Sequence, residues 1–310
     1  MDLEQRPILV TGVHRSGTTW VGKMLAASGE AAYISEPLNV WHRRGVLNVD
    51  VPYWYLYLCS ENEEKYLSAF KELLSYRYGW IEELRSLRSL RDLARMTRDG
   101  STFLLGRLFH RRPLLKDPFA VFSIPWFIER FACQVVVTLR HPAAFASSLR
   151  RLGWSFNMGN LLAQPLLIRD HLGPYEAQMR ACLAQPDNLL QQAGLLWVMV
   201  YQTVRSFVDQ GYPIYLVRHE DLASNPVGRF QELYQWLGLS YTEKARWIIE
   251  RSSSAENPKE LAKGRAHSIR LDSRSSVMNW QRRLTAEEVE QIKSITWRAA
   301  SHYYPAESWV

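Results

Sequence analysis

The stretch Ile8–Leu25 reads ILVTGVHRSGTTWVGKML, and the order of its three parts decides the architecture of the chain. An apolar, β-branched run, Ile8–Thr11, comes first. Gly12 and Gly17 then bracket a short polar loop, and Trp20, Val21, Met24 and Leu25 follow at helical spacing. Glycine lets the backbone turn tightly, so successive N–H groups can converge on an anion at the start of the helix. The spacing approaches G-x-x-x-x-G-K-[ST], but Thr18 stands where the lysine would be and Arg15 is the nearest cation in the loop. A strand-to-helix turn that binds nothing is the plainer reading of the glycines alone. The whole string Arg15-Ser16-Gly17-Thr18-Thr19-Trp20 argues against it.

Outward from this segment, short apolar runs alternate with helical patterns. The predicted strands are Ile8–Thr11, Ala32–Ser35, Pro113–Lys116, Gln134–Leu139 and Pro213–Val217. This alternation predicts an α/β fold with a central parallel sheet flanked by helices. Gln134–Leu139 and Pro213–Val217 are apolar throughout, as strands covered on both faces should be. Two stretches break the rhythm, about 41–112 and 153–192. They read as helical insertions into a single domain spanning 1–310, placed where they can shape a substrate site. Asn257 to Ser276 is polar and basic and reads as a mobile loop before a final helix from Thr285.

Composition narrows the function. The chain has 310 residues and a net charge of +7, carried by 30 Arg and only 8 Lys. Arginine suits bidentate binding of phosphate or sulfate, although an arginine-rich genome produces the same bias. No uninterrupted apolar run reaches the roughly 20 residues needed to span a bilayer. No signal peptide is visible at the N-terminus. Cys59, Cys133 and Cys182 are odd in number and widely spaced, which suggests neither a disulfide framework nor a zinc site and favours a cytoplasmic location. The eight His residues show no metal-ligand spacing.

The loop resembles that of the sulfotransferase superfamily, which uses 3′-phosphoadenosine 5′-phosphosulfate (PAPS) and releases PAP. The fold implied is the P-loop kinase-like sulfotransferase fold, without a metal. By this resemblance Arg15, Ser16, Gly17, Thr18 and Thr19 hold the 5′-phosphosulfate and Trp20 stacks on adenine. The family's 3′-phosphate anchor is an Arg at a strand end with a Ser eight residues later, and Arg140 and Ser148 match it. Arg218-His219-Glu220-Asp221-Leu222 resembles a Tyr-Glu-Asp-Leu element, with His219 replacing the aromatic residue and both carboxylates structural. In the basic loop with Lys263, Arg265 and Arg270, Arg274 is a candidate contact for the 3′-phosphate.

Sulfuryl transfer needs a base for the acceptor proton and cations for the charge on the oxygens. The Lys-Thr-His element of the small-molecule sulfotransferases is replaced here by Leu115-Lys116-Asp117-Pro118, and His110 lies too far upstream to substitute. Glu36, in Glu36-Pro37-Leu38, matches instead the base of the carbohydrate-type enzymes. Glu36 is therefore the expected base, with Asp117 in reserve. Lys116 and Arg15 are expected to stabilise charge on the donor side. The implied reaction moves a sulfuryl group to a hydroxyl, with a carbohydrate, another small molecule or a lipid as acceptor. A P-loop nucleotide kinase or other phosphotransferase is the enzymatic alternative. A nucleic-acid-binding module finds no motif to support it.

Overall fold

The computed structural model describes residues 6–260, 270 and 272–309. Five parallel strands run in the order β2-β3-β1-β4-β5, where β1 is Ile8–Gly12, β2 Ala31–Ser35, β3 Arg112–Lys116, β4 Gln134–Leu139 and β5 Ile214–Arg218. All four pairings are parallel, so each connection must cross over, and helices cover both faces. The five predicted strands are all present, with bounds shifted by at most one residue.

Side chains alternate between the faces with the period of a strand. Leu9, Leu115, Val135 and Val137 enter the larger core with the long helix Leu189–Asp209. Ile8, Val10, Leu114 and Val136 enter a second core with Met24, Phe230 and Tyr234. β5 is an edge strand, and although Ile214 and Leu216 pack on one core and Tyr215 and Val217 on the other, four of its five residues are only half-buried.

The first insertion is helical only in part. Helices occupy Glu64–Leu74, Trp80–Ser86 and Leu90–Leu108, whereas residues 41–63 wind through turns. The aromatic run there is spent on packing: Tyr55 is fully buried and adopts φ 58°, turning the chain into the core. The second insertion is a series of short helices from Gly159 to Ala184. Lys263 and Arg265 lie outside the described residues. Beyond them Ser273–Val277 is a short helix capped by Asp272, so part of the expected loop is ordered helix. The final helix, Ala286–Ala300, opens with a capping box between Thr285 and Glu288.

Candidate active site

The carboxyl ends of β1, β2, β3 and β4 meet at one end of the sheet, where ligands gather in open α/β folds. A cavity of about 690 Å3 opens there. Its floor is the loop between β1 and the helix Thr18–Leu25. Two glycines make that loop possible. At Gly12, φ is 141° and a Cβ would sit 2.4 Å from the Thr138 carbonyl oxygen. At Gly17, φ is 104° and a Cβ would sit 2.7 Å from His219 Nδ1. The backbone therefore passes so close to β4 and to His219 that no side chain fits.

Ser16 braces the loop from within. It is buried, its Oγ donates to the Val13 carbonyl at 2.6 Å, and it shares a 2.6 Å bond with Thr138 Oγ1. Ser16 does not line the cavity, whereas Arg15, Gly17, Thr18, Thr19 and Trp20 do. The first N–H groups of a helix have no partner within it, so Thr18, Thr19 and Trp20 offer donors at the cavity floor. Trp20 is 9% exposed; its indole N–H donates to Ser252 Oγ at 2.9 Å, and its ring meets His219 edge-on at 5.6 Å.

Arg140 follows β4 and Ser148 lies on the helix Pro142–Leu152. The two line the same cavity, and Arg15 joins them. Arg15 Nε donates to Ser148 Oγ at 3.3 Å, and Arg140 Nη1 donates to the Arg15 carbonyl at 2.9 Å. The two cationic anchors read from the sequence thus form one cluster. Burial, then the neighbouring Arg140 and Arg151, lowers the Arg15 pKa to about 10. Burial also lowers that of Arg140, and its Nε has no hydrogen-bond partner among the described residues. Such crowding of positive charge is relieved by an anion.

Glu36 lines the same cavity just after β2, at φ 51°. Its backbone N–H donates to the Lys116 carbonyl at 2.7 Å, and its Oε2 accepts from Asn39 Nδ2 at 2.8 Å. Its other oxygen pairs with Lys116 Nζ. Lys116 is 2% exposed and does not line the cavity, so its ammonium is delivered to Glu36 and not to the donor loop. The position on β3 explains this: the aliphatic stem of Lys116 runs beside Gly22, on the side of the sheet that the first helix covers. The expected donor-side role of Lys116 is corrected accordingly. Asp117 is also turned inward. Its carboxylate accepts from the backbone N–H groups of Leu38 at 2.5 Å and Phe119 at 2.9 Å, fixing the turns that follow β2 and β3. Burial first, then Glu36, raises its pKa to about 7. Arg274 lines a smaller recess with Pro226, Glu250 and Asp272 and does not line the main cavity, although its neighbour Ser273 lines both.

Several cavity residues were missed from the sequence. Arg151 and Arg283 extend the cationic wall. Arg151 had a signal, since it lies one helical turn beyond Ser148; Arg283 had none. His14, beside Arg15, also lines the cavity. The Tyr55 hydroxyl accepts from the His14 backbone N–H at 3.0 Å and contacts its Nδ1 at 2.6 Å. Burial, then Arg15, lowers the His14 pKa to about 4, so the ring is neutral at physiological pH. His219 is half-buried at the cavity edge, its Nδ1 has no partner among the described residues, and desolvation followed by Arg140 lowers its pKa to about 3. Glu220 holds the loop after β4 by accepting from the His141 N–H at 2.9 Å and from the Tyr304 hydroxyl at 2.9 Å. Asp221 pairs with Arg218 at 2.6 Å. Both carboxylates are structural, as read from the sequence.

The far wall is aromatic and uncharged. Trp54 packs on Phe119 at 4.4 Å and meets Trp41 edge-on at 5.2 Å. Phe156, Asn39, Asn157 and Asn160 complete it, and Trp154 lies 5.8 Å from the Arg15 guanidinium. Among the described residues no group of three or more His, Cys, Asp or Glu could hold a metal ion, and no helix is long and apolar enough to cross a membrane.

A family model described as "Sulfotransferase family" matches residues 7–243. The sulfotransferase domain from the curacin biosynthetic pathway is similar in structure, with a TM-score of 0.52, 18% identity, and coverage of 96% of this chain and 97% of that one. A mouse sulfotransferase in complex with PAP matches with a TM-score of 0.45 and 12% identity, covering 99% of this chain and 87% of that one. No curated protein matches the sequence. The first likeness is one of fold, whereas the family match runs from the phosphate loop through β5 and its closing element. The chain belongs to the sulfotransferase family, the PAPS-dependent superfamily that its phosphate loop resembles, and it is an enzyme of sulfuryl transfer.

Proposed function

We propose that the chain transfers the sulfuryl group of PAPS to a hydroxyl of a carbohydrate or glycolipid acceptor. One observation carries this reading: a cationic wall of Arg15, Arg140 and Arg151, the first N–H groups of a helix, and Glu36 share a single cavity. The helix start and Arg15 receive the phosphosulfate; Arg140 and Ser148 receive the 3′-phosphate; Trp20 and His219 border the adenine. The acceptor hydroxyl attacks sulfur, the bond from sulfur to the bridging phosphate oxygen breaks, and PAP leaves with that electron pair. Glu36 takes the hydroxyl proton. Asn39 and Lys116 orient its two oxygens, so Lys116 acts as a positioning residue.

The far wall supports the acceptor class. Tryptophan faces suit the apolar face of a sugar ring, and the Asn39, Asn157 and Asn160 amides can both donate to and accept from hydroxyls. Cys59, Cys133 and Cys182 are free, which supports a reducing cytoplasm as the place of action. The test pairs PAP binding without Mg2+ with a screen of acceptor hydroxyls using labelled PAPS. Tight PAP binding and label transfer to sugar hydroxyls are expected. Binding of ATP in preference to PAP would return the chain to the phosphotransferase alternative, and transfer to phenols only would remove the carbohydrate.

A further inference from the structure

The helix Leu90–Leu108 is apolar on the side where a surface helix should be polar. Its inward stripe is Met96, Gly100, Phe103 and Gly106, with Asp92 and Asp99 alongside. At 3.6 residues per turn, Leu90, Leu93, Ala94, Leu104, Leu105 and Leu108 fall together on the opposite, outward side. Leu90 is 85% exposed, and Leu104 and Leu108 are each 63% exposed. Thr97 and Ser101 lie in the same stripe, and both turn their hydroxyls back onto the helix. Thr97 Oγ1 donates to the Leu93 carbonyl at 2.9 Å and Ser101 Oγ to the Arg98 carbonyl at 2.8 Å. Even the polar members of the stripe thus have their donors satisfied before anything covers them.

Arginines flank it. By the same helical geometry Arg91 and Arg98 lie along one side and Arg107 along the other. Residues 77–111 carry eight Arg against four acidic residues. Three of those four acids are already engaged, Glu83 and Asp92 by Arg43 and Asp99 by Arg98. A leucine stripe about 28 Å long with arginine margins is the pattern of a helix lying in the plane of a membrane surface. A second copy of the same face would bring like charges together, and an acidic protein would not need so broad an apolar strip.

We propose that the helix Leu90–Leu108 docks the enzyme on anionic lipid bilayers, its leucines entering the headgroup boundary and its arginines pairing with lipid phosphates. The docking face is tied to the rim of the cavity. Arg43, two residues from Trp41, pairs with Glu83 and Asp92, and the Gly79 N–H donates to the Gly45 carbonyl at 2.9 Å. The helix is thus joined, through Arg43 and Gly45, to the segment that carries Trp41.

The test is flotation of the full chain with phosphatidylcholine vesicles, with and without about one third phosphatidylglycerol. Binding to the anionic vesicles alone is expected, weakening as salt is raised. Leu104→Asn with Leu108→Asn should reduce partitioning about tenfold or more, and Arg91→Gln with Arg107→Gln by a similar factor. These side chains are exposed, and unchanged PAP affinity and circular dichroism would verify that the variants fold. Absence of flotation, equal flotation on neutral vesicles, or full binding by the leucine variant would overturn the proposal. So would a loss of self-association in the leucine variant without vesicles, which would assign the stripe to a second copy. None of these readouts involves turnover, so they stand or fall apart from the proposed reaction.

Discussion

The two walls of the cavity are built on different principles. The cationic wall grows mainly from strand ends and the helices beside them, and its loop is braced by the backbone: Arg140 holds the Arg15 carbonyl, and Ser16 holds the Val13 carbonyl. The aromatic wall comes from turns at 39–54 and 154–160, held mostly by ring packing and by amides such as Asn160, whose Oδ1 accepts from the Trp54 N–H at 3.2 Å. A wall fixed by backbone bonds suits a constant ligand. A wall of packed rings can change its ligand without disturbing the sheet.

Glu36 sits between them and gives the sharpest test. Glu36→Gln keeps the shape and the Asn39 contact but removes the base, so kcat should fall about 10²- to 10⁴-fold with PAP affinity retained. Near-normal single-turnover rates would take the base away from Glu36 altogether. Next in size is Arg140→Ala, which removes a half-buried guanidinium from the constant wall. PAP affinity by calorimetry should drop about 10²-fold, while the KM for acceptor, measured at saturating donor, stays put. An equal loss on both ligands would mean that the walls are one unit.

A smaller effect belongs to the other wall. Trp41 is 81% exposed, so Trp41→Ala should fold normally, raise the acceptor KM roughly tenfold and leave PAP binding unchanged. Unaltered acceptor kinetics would remove Trp41 from the site. The smallest expected effect is a pH dependence. The folded-state pKa of His219 is about 3, below the ordinary 6.5, so between these values the unfolded chain binds more protons. The stability this residue contributes is present above about pH 6.5 and is lost as pH falls towards 3. His219→Phe should therefore flatten the decline of the melting temperature over that window. An unchanged slope would mean that His219 does not remain neutral in the fold.

The same division governs what could be read in the sequence. β1 to β5 are local patterns, and all five emerged where expected, whereas Arg140 and Ser148, read from their fixed spacing, both line the cavity. Lys116 was misplaced for a physical reason. In a strand buried on both faces every position is apolar or enclosed, so no alternation tells which way a lone lysine points. The inward turn of Asp117 could not be read because its bond to the Leu38 amide joins residues 79 apart in the chain. The aromatic wall was illegible for a related reason: VPYWYLYL supplies both a core residue, Tyr55, and a cavity residue, Trp54, one position apart.

The helix Leu90–Leu108 has one more consequence, for anyone trimming the enzyme. It packs against β2, which ends the sheet. A minimal version lacking this insertion would shed the leucines but also uncover β2, and a bare terminal strand is a template for pairing with other chains. Deletion should therefore yield aggregates, and the outward leucines are better replaced one by one.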